Sequence, residues 1–251
     1  DWSSDVCSSD LVLEQRHRQL ASRSGGVLLI DEPDALLESL GGAPQWLAPL
    51  AGVAAQVSVD DLTRFPPPPT GGRASSVLIL LGDGPEGPDV VLIERAHKMR
   101  QHSGQPAFPG GVVEDTDAGV VAAALREAEE EIGVNADGVR PFAVLPELFV
   151  PPSGFVVSPV LAWWAEPAPI APADPAEVAQ ALRVPWQDLI NPAHRVRVRH
   201  PSGYVGPGFT VRGLTVWGFT GGLLDRIIAL AGWEAPWDTS VIVEVDDSPR
   251  Q

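Results

Sequence analysis

Cysteine, methionine and tyrosine each occur once in the 251 residues. The lone Cys7 excludes an intrachain disulfide and points to a reducing compartment. Basic residues are also scarce: 17 Lys and Arg face 33 Asp and Glu, so the formal net charge is 17 − 33 = −16. A nucleic-acid partner calls for a basic face, which this balance argues against. No apolar run reaches the roughly 18–20 residues of a membrane-spanning helix. The N-terminus lacks the basic-then-apolar order of a signal peptide. The expectation is a soluble, cytoplasmic protein with no nucleic acid and no membrane among its partners. Apolar residues make up 44% of the chain, enough to build a sizeable core.

Residues 1–25 carry little fold signal. Their opening, DWSSDVCSSDL, is polar and without periodicity, and it resembles translated adapter read-through. Residues 26–72 read as an N-terminal helical extension and linker. Val27 to Ile30 are apolar, Pro44 to Leu50 read as a helix start, and Val59 to Leu62 as one more turn. Pro66 to Pro69, followed by Gly71 and Gly72, favour an extended spacer. Strand patterns then begin, and 73–235 reads as the main domain, with 236–251 as a C-terminal tail. Strands are expected at about 76–81, 89–94, 142–149, 155–164, 182–185, 196–199 and 214–217. A helix is expected at about 117–132, with Thr116 or Asp117 as N-cap and Gly133 at its C-terminal end. A last helix fits about 220–231, with a proline- and alanine-rich loop earlier at 167–176. The whole reads as mixed α/β: helices packed on a mixed sheet.

The most informative stretch runs from Val91 to Val134. Its second half holds Arg126-Glu127-Ala128-Glu129-Glu130-Glu131-Ile132-Gly133. At about 100° per residue, Glu130 and Glu131 fall at about 300° and 40° from Glu127, on one face about 100° wide. Glu129 falls at about 200° and points away, while Val121, Leu125, Ala128 and Ile132 form a separate apolar stripe. Like charges so placed repel by a few tenths of a kcal/mol per pair. They also stand near the negative end of the helix dipole. Stability gives no reason for the arrangement, whereas a divalent cation would. Oxygen ligands without His or Cys suit Mg²⁺ or Mn²⁺. Taken alone, the Glu-rich string also reads as an ordinary solvated face. His97, His102, His194 and His200 have no metal-ligand spacing.

The surrounding residues decide between those readings. Arg126-Glu127-Ala128-x-Glu130-Glu131-x-Gly133-Val134 resembles the core of the Nudix box at every fixed position. Upstream, Ala118 occupies the place of a usual glutamate, and Asp117 stands one position earlier. Val91-Leu92-Ile93-Glu94-Arg95-Ala96, then Arg100, Gly104 and Phe108-Pro109-Gly110-Gly111, resemble the signature of the coenzyme A diphosphatase branch of that family. Ile93 stands where that signature usually has Thr.

The resemblance implies a Nudix-type α/β/α sandwich with a mixed β-sheet, here with an N-terminal extension. It implies metal-dependent cleavage of coenzyme A or an acyl-CoA to 3′,5′-ADP and 4′-phosphopantetheine or its acyl form, with Mg²⁺ or Mn²⁺ as cofactor. Glu127, Glu130 and Glu131 would hold metal. Glu130 or Glu177 would activate water, with Glu147 as the alternative outside the box. Arg126 would orient a box glutamate. Arg95, Arg100, Gly104, Phe108, Gly110 and Gly111 would form the substrate side, where Phe108 either stacks on a base or caps the core. The partner is a small molecule, coenzyme A or a related nucleotide diphosphate, and a homodimer is left open. Two alternatives share the fold: a diphosphatase for ADP-ribose, NADH or nucleoside triphosphates, and a non-catalytic nucleotide-sensing module.

Overall fold

The computed structural model describes residues 37–40, 42–63, 65–69, 71–96 and 104–245. Cys7, the apolar run 27–30, His97, Arg100 and His102 lie outside the described residues. One sheet holds β1 (Arg73–Gly84), β2 (Gly87–Arg95), β3 (Pro106–Ala107), β4 (Gly110–Val112), β5 (Val139–Val144), β6 (Leu148–Val150), β7 (Phe155–Trp164) and β8 (Val178–Pro185).

The hairpin of β1 and β2 is paired only near its turn, from Leu81↔Val90 to Gly84↔Gly87. The outer edge of β1 runs parallel to β7, and the outer edge of β2 runs antiparallel to β8. Beyond Leu81 the two strands therefore part, and residues 106–112 enter the opening between them. There β3 pairs with Ile93 and Glu94 of β2, and β4 pairs with Ser75, Ser76 and Val77 of β1. Between them the Leu78 N–H donates to the Pro109 carbonyl at 2.8 Å.

β1 and β2 read as unbroken apolar runs because both faces of the sheet are covered. Leu78, Leu80, Val91 and Ile93 face α3 (Val120–Ile132) through Ala124, Ala128 and Ile132. Their neighbours Ile79, Leu81, Val90 and Leu92 belong to a larger core on the other side. That core takes in α1 (Ala48–Ala54), α2 (Val59–Leu62), α4 (Trp186–Ile190) and α5 (Gly218–Leu230). The N-terminal extension is tied down further by Trp46, whose Nε1 donates to Asp83 at 2.9 Å. The fold is the expected mixed α/β sandwich. Among the described residues, no helix is long and apolar enough to cross a membrane.

A second sheet has the order β11 (Leu214–Val216), β10 (Val205–Val211), β9 (Arg195–Arg199), β12 (Ile242–Glu244). The strand β10 was not expected; it carries Gly206-Pro207-Gly208. Gly208 is required there: a Cβ would lie 2.6 Å from Val198 Cγ2 and 2.8 Å from the Val216 carbonyl. The stretch 236–251, read as a tail, contributes β12, which pairs parallel to β9. The single strand expected at 142–149 divides into β5 and β6, which meet β7 with a register shift and a break at 145–147. The helix expected from about 117 starts at Val120 with Gly119 as N-cap, so neither Thr116 nor Asp117 caps it. The Asp117 carboxylate is engaged by Arg126 and by the Glu114 N–H instead.

Leu47 is fully buried in the larger core. Leu47→Ala should lower the unfolding free energy by about 2–5 kcal/mol, the range for truncating a buried leucine. Denaturant melts would measure it, and an unchanged midpoint would mean that the N-terminal extension does not stabilise the sheet.

Candidate active site

The site forms where the inserted segment meets α3. Gly110 has φ 157°, and a Cβ there would lie 2.3 Å from the Ser76 carbonyl and 2.7 Å from Val77 Cα. A Cβ on Gly111 would lie 2.4 Å from the Glu127 carboxylate. Only glycine at 110 lets this backbone pass so close to β1, while a side chain at 111 would displace the Glu127 carboxylate. The Gly110 N–H donates to Glu131 Oε2 at 3.0 Å.

The helix is held by small side chains. Ala124, Ala128 and Ile132 are buried, with Val121 and Leu125 partly so, which is the apolar stripe expected from the periodicity. It ends on Gly133 in the left-handed conformation, whose N–H bonds back to the Glu129 carbonyl at 2.9 Å. Glu129 is exposed, also as expected. The other three glutamates divide. Glu127 and Glu131 turn toward Gly110 and Gly111, with 18% and 10% of their side chains exposed. Glu130 keeps 59% exposure and accepts from Arg126 Nη1 at 3.0 Å. Helical spacing puts all three on one face, but hydrogen bonding sends them to two places.

Arg126 organises the outer part. Its Nη1 also donates to Glu127 at 3.0 Å, its Nε and Nη2 to Asp117 at 2.9 and 3.0 Å, and Nη2 to the Val112 carbonyl at 3.1 Å. This guanidinium holds the Asp117 carboxyl below the usual range. Asp117 therefore supports the arginine across the place where Ala118 replaces a glutamate.

The inner pair is electrostatically strained. Burial raises Glu127, opposed by its Arg126 contact. Burial pushes Glu131 up to about 7, against the Gly110 N–H and the Arg95 charge, and the charges of Glu127 and Glu177 push it the same way. Arg95 Nη1 stands 3.9 Å from Glu131 Oε1. Among the described residues, no three Asp, Glu, His or Cys side chains converge as a metal-holding group. The donor chemistry nevertheless fits a hard divalent cation: buried carboxylate oxygens hold more negative charge than Arg95 and Arg126 offset.

The remaining expected residues fall as follows. Glu177 is exposed, but its carbonyl accepts from the Ala96 N–H at 2.8 Å, so it stands beside Arg95 at the Glu131 end of the site. Glu147 is exposed between β5 and β6. Gly104 closes a turn, with φ 65° and its N–H on the Arg95 carbonyl at 3.0 Å. Phe108 does not line the substrate side: only 2% exposed, it packs in the larger core on the sheet face opposite α3. The choice between stacking on a base and capping the core resolves to the core. Sequence reasoning missed the amides of Ala171 and Ala173, which donate to the Ile132 and Glu131 carbonyls at 3.3 and 2.9 Å. The alanine-rich loop that carries them has no side-chain signal.

The raised Glu131 sets a pH dependence for the metal-free protein. Its folded value lies above the ordinary 4.5, so its contribution is present below about 4.5 and is lost as pH rises through about 7. At roughly 1.4 kcal/mol per unit, the loss is on the order of 3 kcal/mol. In EDTA, the stability of Glu131→Gln relative to wild type should improve between pH 4.5 and 8. A flat difference across that range would contradict the assignment.

The NUDIX domain family matches residues 72–204. The uncharacterized Nudix hydrolase NudL of Cronobacter sakazakii is 36% identical over 171 residues, covering 65% of this chain and 85% of that protein. NudL of Shigella flexneri serotype 5b is 34% identical over 175 residues, with the same coverage. Among solved structures, a Nudix hydrolase from M. smegmatis, RenU, aligns with a TM-score of 0.45 at 18% identity, covering 69% of this chain and 98% of that one. Nudix hydrolases act on nucleoside-diphosphate-linked compounds and generally use divalent ions such as Mg²⁺ or Mn²⁺. With its matched domain, its box and its sandwich fold, this chain belongs to the Nudix family.

Proposed function

We propose that the protein is a metal-dependent diphosphatase that hydrolyses coenzyme A or an acyl-CoA to 3′,5′-ADP and 4′-phosphopantetheine or its acyl form. The observation that carries the reading is the meeting of Arg95 and Gly110 on Glu131, at 3.9 and 3.0 Å. Two residues of the stretch that resembles the coenzyme A branch signature, Arg95 and Gly110, thus lie against a box carboxylate, which supports the reading.

Glu127, Glu130 and Glu131 would hold the divalent ion. A bound ion supplies Lewis acidity toward the diphosphate oxygens and toward water. The side chains do the rest. Arg95 offers planar donors to a phosphate oxygen, as would Arg100, which lies outside the described residues. The absence of a Cβ at Gly110 and Gly111 lets this backbone lie against β1 and the Glu127 carboxylate, which keeps the substrate-side loop next to the box glutamates. Arg126 steadies Glu127 and Glu130. Glu130 or Glu177 takes the proton from water as its oxygen attacks one phosphorus. The bridging P–O bond then breaks and the second phosphate leaves, with no covalent enzyme intermediate. The net charge of −16 does not oppose an anionic substrate, because the local field comes from the arginines and the ion.

The test is direct. Purified protein with Mg²⁺ or Mn²⁺ should convert coenzyme A to the two named products, identified by mass. Intact coenzyme A beside cleaved NADH or ADP-ribose would overturn the substrate. No turnover of any of them would favour a sensing module. Glu130→Gln should lower kcat by about 10²–10⁴-fold, the range for losing an acid–base group, while Glu129→Gln leaves it unchanged. Equal losses would break the division of the helix faces.

A further inference from the structure

The loop between β7 and β8 crosses the end of α3 in a defined way. Its residues 165–177 include Pro167, Pro169, Pro172 and Pro175, each of which fixes φ and stiffens the chain. One end is fastened where the Glu166 N–H donates to the Gly138 carbonyl at 3.1 Å, with Ala168 and Ile170 packed on the core beneath α3. The middle lies over the helix C-terminus. The last carbonyls of a helix have no partner within it. Ala173 donates to the Glu131 carbonyl at 2.9 Å and Ala171 to the Ile132 carbonyl at 3.3 Å.

The far end is a tight turn. The Asp174 carboxylate accepts from the Ala176 N–H at 2.7 Å, and its carbonyl accepts from the Glu177 and Val178 N–H groups at 3.0 and 2.9 Å. Glu177 is then pinned to the end of β2 by the bond from Ala96, and Val178 is buried behind it. The segment thus bridges the residue that bears the Glu131 carboxylate and the strand end that bears Arg95. Glu177 sits at its tip, and its charge acts on Glu131.

We propose that residues 165–177 form a positioning strap, in which the Ala173 amide on the Glu131 carbonyl and the Asp174 turn hold Glu177 against the end of β2, beside Arg95 at the Glu131 end of the site. The strap would set how tightly the site binds a divalent cation. This rests on the metal-dependent hydrolysis inferred above. Ala173 and Asp174 touch no reacting atom and act through Glu177. Such a strap needs stiff backbone and free amides rather than side chains, which accounts for its alanine and proline composition.

The test is a double-mutant cycle read by Mn²⁺ binding, measured by calorimetry without substrate. Ala173→Pro removes the amide, and Asp174→Ala releases the turn at an exposed position where the fold is spared. Each should weaken Mn²⁺ binding about 10-fold, the scale for losing a group that orients a ligand. Neither should weaken it further in a Glu177→Ala background. In turnover, kcat should fall with KM unchanged. Asp174→Glu, which keeps a carboxylate, should restore part of the affinity. Melting in EDTA should separate Asp174→Ala from misfolding. Unchanged Mn²⁺ affinity in Asp174→Ala, or full additivity with Glu177→Ala, would overturn the strap. Wild-type protein that binds Mn²⁺ but leaves coenzyme A intact would overturn the substrate while the strap stays measurable. Wild-type protein that does not bind Mn²⁺ would overturn both.

Discussion

The site depends on the entry of residues 106–112 between two strands that would otherwise pair along their whole length. β7 and β8 hold the outer edges of β1 and β2, so the inserted chain can hydrogen-bond only into the opening. That position brings backbone to within contact of both Ser76 and Glu127, and at 110, where a Cβ would strike the backbone of β1, it requires glycine. The same insertion delivers the Gly110 N–H to Glu131. The segment before the helix and the helix itself are brought together because the inserted strands fill the opening between β1 and β2.

The second constraint is charge. Two glutamates with little solvent stand next to backbone, and one arginine near each does not fully offset them. Burying carboxylates this way costs stability unless a cation is available. The larger core on the opposite face supplies the stability. It joins the N-terminal helices, the sheet and α5, and the second sheet packs on α5 in turn. There Arg195 is buried with Asp225 and lies over the rings of Phe209 and Trp237, at 4.8 and 4.9 Å. A charge placed so deep limits how that second sheet can seat on α5.

Much of this was legible in the sequence where the signal is local. The helix, its apolar stripe and its terminal glycine follow from periodicity, which needs no partner to be read. The long strands β1, β2 and β7 follow from apolar runs of the right length, whereas the short β3 and β4 were not expected. What stayed hidden depends on distant partners. β10 carries Gly206-Pro207-Gly208 because Val198 and Val216 crowd it, a requirement that appears only once β9 and β11 are in place. Asp117 looks like an N-cap by position, but Arg126 competes for its carboxylate more strongly than the helix end does.

By itself the sequence determined which groups are present and in what order: carboxylates at helical spacing, with arginines and glycines upstream. The tertiary structure decided the allocation. Spacing at 100° per residue puts Glu127, Glu130 and Glu131 on one face, but it does not say which of them meets protein and which meets water. The inserted glycines bury Glu127 and Glu131, while Arg126 draws Glu130 outward. Phe108 packs in the other core, whereas Ala107 just before it lies on the α3 side of the sheet. Burial and hydrogen-bond competition are set by neighbours distant in the chain, and those exist only in the folded molecule.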